Sequence, residues 1–238
     1  MTRPPGIGVL ALQGDFEAHL GHLRRCGVEA VEVRHASALR TLGGIVLPGG
    51  ESTTLLRLVR EYGFDEALPP FVREGGAVFA TCAGAILLAR TVSCPSQWSL
   101  GLMDIDVERN GYGRQIDSFE TRLTDIAREI LQPPRRRTEH LPAPPPTAMG
   151  GVRSLSAGPA GISPTVENPD SLPAVFIRAP RIHRVGKTVE VLAARNGEPV
   201  LVLEGRMMAS TFHPELTNDT RIHRYFLGLV DDRDTSPS

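Results

Sequence analysis

The chain has 238 residues, with 26 basic against 27 acidic side chains and a formal net charge of -1. That balance supplies no general field for holding nucleic acid or an anionic membrane, so specific small-molecule chemistry is the expectation. The length suits one α/β domain, residues 1–238, carrying an insertion.

Met1 leads through two prolines into Ile7-Gly8-Val9-Leu10-Ala11-Leu12, an apolar run too short for a signal peptide core or a membrane span. It reads as a first buried strand. Phe16 to Cys26 follows as a helix ended by Gly27, then Val31 to Val33 as a second strand and Gly44 to Leu47 as a third. Pro48-Gly49-Gly50 breaks that strand at once. Ser52 can cap the next helix, whose Leu55, Leu56 and Val59 share one face, with Gly63 as its stop and a further helix after it. Ala77 to Ala80 is a short buried strand with Cys82 at its end, and Gly84 to Arg90 looks helical.

In the second half, Leu102 to Val107, Ala174 to Ile177, Val189 to Ala194, Val200 to Leu203 and Met207 to Phe212 read as strands. Their closeness suggests an antiparallel section. Arg221 to Leu229 is a C-terminal helix, and residues 231–238 form a frayed polar tail. Alternation of strands and helices in the first half predicts βαβ units around a mainly parallel sheet. Residues 132–173 break the pattern, with half of the chain's 20 prolines, no aromatic residue and the basic triplet Arg135-Arg136-Arg137. Such a composition predicts a mobile insertion or linker, with partner contact as a second reading.

Three cysteines, Cys26, Cys82 and Cys94, are an odd number at no metal-ligand spacing. Neither a disulfide framework nor a zinc site is predicted, no cofactor is called for, and a reducing cytosol fits.

Cys82 stands where a strand turns into a helix, and a helix N-terminus offers unpaired amides and partial positive charge that favour thiolate over thiol. Its neighbours in Phe79-Ala80-Thr81-Cys82-Ala83-Gly84-Ala85 are small enough for such an elbow. In Phe212-His213-Pro214-Glu215 the proline fixes the backbone so that the carboxylate can address the imidazole, set its tautomer and leave the other nitrogen for proton exchange. Leu47-Pro48-Gly49-Gly50-Glu51-Ser52 ends a strand with glycines that can turn backbone amides towards an oxyanion. Alone, each segment is ordinary: a buried cysteine, a surface His and Glu, a Pro-Gly turn. Their coexistence is what points to chemistry.

In this order the three segments closely resemble the class I, or triad, glutamine amidotransferases, with their Pro-Gly-Gly loop, Gly-x-Cys-x-Gly elbow and His-Pro-Glu segment. More narrowly, Leu12-Gln13-Gly14, Pro48 to Thr54, Thr81-Cys82-Ala83-Gly84, Val107-Glu108-Arg109-Asn110 and Gly113-Arg114-Gln115 look like the glutaminase subunits of pyridoxal 5'-phosphate synthases. So do Asp117-Ser118-Phe119, Phe176-Ile177-Arg178-Ala179-Pro180 and Ser210 to Thr217. The likeness skips only the proline-rich segment.

The resemblance implies a flavodoxin-like three-layer α/β fold and hydrolysis of L-glutamine to glutamate and ammonia. The ammonia would pass to a barrel-type synthase subunit, in a hetero-oligomer, for vitamin B6 coenzyme assembly. By position it implies Cys82 as nucleophile, His213 as general base and acid, and Glu215 as its orienting partner. Gly50, Glu51, Ser52, Arg109, Ile177 and Arg178 match glutamine-binding positions, and amides near Gly50 and Ala83 would form the oxyanion hole. Ala80 departs from the pattern, since it replaces the first elbow glycine.

Rivals are a glutaminase of another pathway, such as imidazole-glycerol phosphate formation, and a catalytically silent partner-binding subunit. The Phe176 to Pro180 run favours the coenzyme pathway, and the intact Cys/His/Glu set counts against silence. A peptidase or chaperone of related fold is disfavoured because Ala83, not a histidine, follows Cys82.

Overall fold

The apolar runs of the first half form the inner strands of a twisted parallel sheet, with alternate residues feeding two cores. The computed structural model describes residues 6–109, 111, 118–133 and 169–231. Asn110, Gly113 to Asp117, most of the proline-rich segment and residues 232–238, which include all but the first residue of the expected tail, lie outside them.

In chain order the elements are β1 (Gly6–Leu10), α1 (Phe16–Arg25), β2 (Val31–Val33), β3 (Leu42–Leu47), α2 (Ser52–Glu61), α3 (Phe64–Arg73), β4 (Ala77–Thr81) and α4 (Ala83–Leu88). There follow β5 (Ala89–Ser93), β6 (Met103–Glu108), β7 (Ser118–Leu123), β8 (Asp125–Ile126), α5 (Arg128–Leu131), β9 (Leu172–Ile177) and β10 (Arg181–Val185). The chain continues through β11 (Glu190–Arg195), β12 (Glu198–Glu204), β13 (Met207–Ser210) and α6 (Arg221–Asp231).

Among the described residues the main sheet has eight strands in the order β2-β1-β3-β4-β13-β12-β11-β8. Its first five run parallel in the 2-1-3-4-5 order of flavodoxin-like folds, and β12, β11 and β8 extend it antiparallel. Two small sheets, β10-β6-β5 and β7-β9, complete the second half.

Strand periodicity sorts the core into layers. Ile45 and Leu47 of β3, with Val78 and Ala80 of β4, pack against Leu55 and Val59 of α2, Phe64 and Leu68 of α3, and all of α4's apolar face. Val46 and Phe79 point the other way, to Leu23 of α1 and Phe226, Leu227 and Val230 of α6. Helices therefore cover both faces of the sheet.

Several boundaries differ from the sequence reading. Glu51, not Ser52, caps α2: its carboxylate accepts the amides of Thr53 at 3.0 Å and Thr54 at 2.7 Å, and Ser52 is the first helical residue. The predicted helix over Gly84 to Arg90 stops at Leu88, because the chain turns extended at Ala89 to pair β5 with β6. Strands β5, β7, β8 and β10 were not anticipated. Exposed polar residues alternate along β7, and the β10–β6 pairing is joined by Arg184, which bonds Asp106 at 2.5 Å and also bonds Asp104. Tertiary pairing, rather than an apolar run, makes these strands. β9 begins at Leu172, within the last residues of the segment set apart on composition, and Ser171 and Leu172 are buried.

The departure at Ala80 is accommodated without strain, since it lies inside β4, fully buried and extended. Gly84 is a position where a side chain has no room. A Cβ there would lie 2.3 Å from the Leu47 carbonyl oxygen, so α4 can cross β3 only with glycine at this point. Gly84→Ala is expected to cost about 1–3 kcal/mol in urea unfolding through overpacking. Gly21→Ala, on α1 with open space around its Cβ, should instead raise stability by about 0.5–1 kcal/mol.

Candidate active site

Register brings three distant segments to one edge of the sheet. Leu47 pairs with Ala80, and Thr81 with Ser210, so the residues following β3, β4 and β13 emerge side by side at the carboxyl ends of the parallel strands. That is where open α/β sheets hold ligands.

Cys82 follows β4 and stands at the N-cap of α4 with φ 48° and ψ -102°, a strained conformation for a residue with a side chain. Its amide donates to the Ser210 carbonyl at 2.8 Å, which fixes the elbow to β13. The thiol, 6% exposed with its residue, lies 3.9 Å from the Ile177 carbonyl.

His213 is reached two residues beyond Thr211, where the chain leaves the sheet, and its amide donates to the Val175 carbonyl of β9 at 2.8 Å. Pro214 opens a single 3-10 turn, Pro214–Leu216, which carries Glu215 back beneath the imidazole. His213 Nδ1 lies 2.8 Å from Glu215 Oε1. A carboxylate only accepts, so Nδ1 donates and Nε2 is left for Cys82. Burial works against the imidazolium, but hydrogen bonds and charge from Cys82 and Glu215 raise the His213 pKa to about 10. Burial likewise disfavours the Glu215 carboxylate, yet His19 and then His213 hold its pKa well below the usual range, so it stays ionised.

Gly49 closes the other side. A Cβ at Gly49 would lie 2.5 Å from His213 Cε1 and 3.2 Å from Cys82 Cβ, so only glycine lets this loop lie against both. The Gly49 amide donates to Thr81 Oγ1 at 2.9 Å, which ties the loop to the residue before the cysteine.

A cavity of about 340 Å³ opens in front of these groups, within the range of about 300–1,000 Å³ usual for small-molecule sites. Cys82 and His213 line it together with Gly50, Ser52 and Ala83, and with Ile177 and Arg178 from the end of β9. Glu51 and Arg109 complete the polar rim. The expected nucleophile, imidazole, oxyanion-loop and glutamine-binding residues therefore share this cavity, with Glu215 behind it, buried. Thr53 and Thr54 amides hold the Glu51 carboxyl at a pKa of about 2, so it is a fixed negative cap. Arg109 is 3.9 Å from that carboxylate and 3.4 Å from Thr53 Oγ1. Arg178 is held at φ 42°, a second strained residue at the same site. Gln13 braces the loop by accepting from the Glu51 amide at 3.3 Å and donating to the Glu51 carbonyl at 3.1 Å.

Sequence reasoning missed the groups behind the pair. His19 and His22 of α1 and His223 of α6 are buried in contact with one another, although no three His, Cys, Asp or Glu residues among those described form a metal-holding group. The available signal was two histidines three residues apart on the helix face that otherwise buries Leu23.

Fold and site together define a class: an open α/β sheet that presents a cysteine elbow, an imidazole–carboxylate pair and a glycine loop at its carboxyl edge. Residues 9–130 and 162–232 match the SNO glutamine amidotransferase family, and the chain belongs to that family. It is 43% identical to the pyridoxal 5'-phosphate synthase subunit PdxT of Thermotoga neapolitana over 224 residues, 94% of this chain and 98% of that protein. The corresponding protein of Thermus thermophilus is 45% identical over 226 residues, 94% of this chain and 97% of that one. A solved glutamine amidotransferase superposes with a TM-score of 0.73 at 43% identity, covering 94% of this chain and 98% of that one.

The raised His213 pKa has a sign that can be checked. Above its unfolded value of 6.5 the folded chain binds the proton more tightly, so the pairing stabilises the fold fully below pH 6.5 and loses that contribution as pH rises towards 10. Nitrogen NMR of histidine-labelled protein should find His213 protonated at neutral pH, and Cys82→Ala should move its titration to lower pH.

Proposed function

We propose that this chain hydrolyses L-glutamine to glutamate and ammonia at Cys82 and delivers the ammonia to a barrel-type synthase subunit, its partner in a hetero-oligomer that makes pyridoxal 5'-phosphate. One observation carries the chemistry: His213, held by the buried Glu215 at 2.8 Å, shares a cavity with a cysteine at a strand–helix elbow. The PdxT relatives, by their name, support the pathway.

In this reading the Cys82 thiolate attacks the side-chain amide carbon of glutamine. The tetrahedral oxyanion is met by backbone amides at Gly50 and Ala83, of which the latter opens α4 and has no helical partner. His213 gives its proton to the departing ammonia, leaving a glutamyl thioester on Cys82. Water, deprotonated by the same imidazole, then attacks the thioester, and glutamate leaves as the thiolate is restored. Glu215 fixes the tautomer throughout. Arg109 and Arg178 place the substrate through its α-carboxylate, with Glu51, Ser52 and Ile177 shaping the wall. No step needs a metal or cofactor, and the free thiol suits a reducing cytoplasm.

The whole chain acts as one amidotransferase domain, with the proline-rich segment 132–173 inserted between Arg109 and Arg178. The entropic cost of joining distant parts of a chain rises only slowly with the length between them, which lets both arginines meet at one site.

Glutamine hydrolysis by the full chain mixed with its synthase subunit tests the assignment. Cys82→Ala and His213→Asn should each abolish measurable glutamate release, with losses of about 10⁴-fold or more. Turnover retained by either variant contradicts it.

A further inference from the structure

The Glu215 carboxylate is fully buried as a side chain, and only one of its oxygens is accounted for by His213. The other, Oε2, makes no hydrogen bond and faces His19 Nε2 at 3.5 Å. The same His19 nitrogen lies 3.3 Å from Thr81 Oγ1, the atom that receives the Gly49 amide. One ring nitrogen on α1 therefore touches the support of the imidazole, the residue before the nucleophile, and the anchor of the glycine loop.

His19 is itself held from behind. Its Nδ1 lies 3.0 Å from His223 Nε2, and the His223 ring stacks on His22 with centroids 4.4 Å apart. His22 Nε2 is 3.0 Å from the Thr217 carbonyl, just beyond the 3-10 turn that carries Glu215. A carbonyl only accepts, so His22 Nε2 bears the proton. The two α1 histidines thus grip the Glu215 turn at two points. A leucine in place of His19 would fill the space but leave a buried charge half-paired.

We infer that His19 is a positioning residue for the proposed glutamine hydrolysis: its Nε2, bonded to Thr81 Oγ1 and facing Glu215 Oε2 at ion-pair distance, sets the His213–Glu215 pair and the Gly49 loop in register with Cys82. This rests on the functional reading above. It also makes α1 and α6, which line none of the cavity, part of the catalytic geometry.

Two isosteric substitutions separate the ring nitrogens, since glutamine keeps an N–H near the Nε2 position and asparagine keeps one near Nδ1. With the synthase subunit present, His19→Ala and His19→Asn should lower kcat about 10–100-fold, as loss of a ligand-orienting partner does, with KM within about twofold. His19→Gln should turn over about 5- to 10-fold faster than His19→Asn, the effect of one restored hydrogen bond. Iodoacetamide labelling of Cys82, which assumes no substrate, should slow in the Asn variant more than in the Gln variant, and His19→Ala should slow it no further in a Glu215→Ala background. Equal rates for Asn and Gln, an unchanged kcat per folded molecule, or an undiminished labelling effect without Glu215 would overturn the inference. If wild type releases no glutamate, the functional reading fails while the labelling comparison still decides the role of His19.

Discussion

Burial of the Glu215 carboxylate is the constraint from which the site's architecture follows. At 4% exposure the residue has lost its water, and an isolated carboxylate in such surroundings would take up a proton rather than remain charged. It stays ionised because imidazoles meet it from two sides, His213 from β13's extension and His19 from α1. Each contact answers the desolvation of the other groups: Glu215 supports the protonated form of His213 that burial alone would suppress. Breaking one partner of such an arrangement costs more than never having built it, because a charge is left unmatched inside the protein.

The sheet converts this local requirement into a place in the fold. Parallel pairing of β3, β4 and β13 sets the ends of three strands in one row, and the sequence separations between Gly49, Cys82 and His213 vanish at that edge. Close packing then demands glycine along this edge. Gly84 lets α4 cross against the Leu47 carbonyl, and Gly49 lets the loop lie on the imidazole and the cysteine together. Two of the four non-glycine residues with positive φ among those described, Cys82 and Arg178, sit at the same edge. Such conformations persist only where surrounding structure over-determines them, as the Cys82 amide bonded to Ser210 and the packed β4 do here.

The parts legible in the sequence were those written in local chemistry. Continuous apolar runs announced β1, β3 and β4 because both of their faces are buried, and the elbow, the His-Pro-Glu turn and the Pro-Gly-Gly loop each carry their own geometry in residue type. Strands β7, β8 and β10 were hidden because one face of each is wet and their pairing partners are far along the chain. The helix cap was misassigned for a related reason: Ser52 has the better reputation as a cap, but Glu51 reaches two amides where a serine reaches one. The histidines of α1 and α6 escaped notice because polar residues on a buried helix face look like exceptions until their partners, contributed by residues some 200 positions away, are seen.

The most direct measurement of the central claim, that sulfur, imidazole and buried carboxylate act as one unit on an amide, is to capture the covalent intermediate. Acid quenching during turnover of radiolabelled glutamine with the synthase subunit, followed by peptide mapping, should place a glutamyl thioester on the peptide containing Cys82 and none on those containing Cys26 or Cys94. Label on another residue, or steady glutamate release with no label trapped on Cys82 at any quench time, would contradict the account.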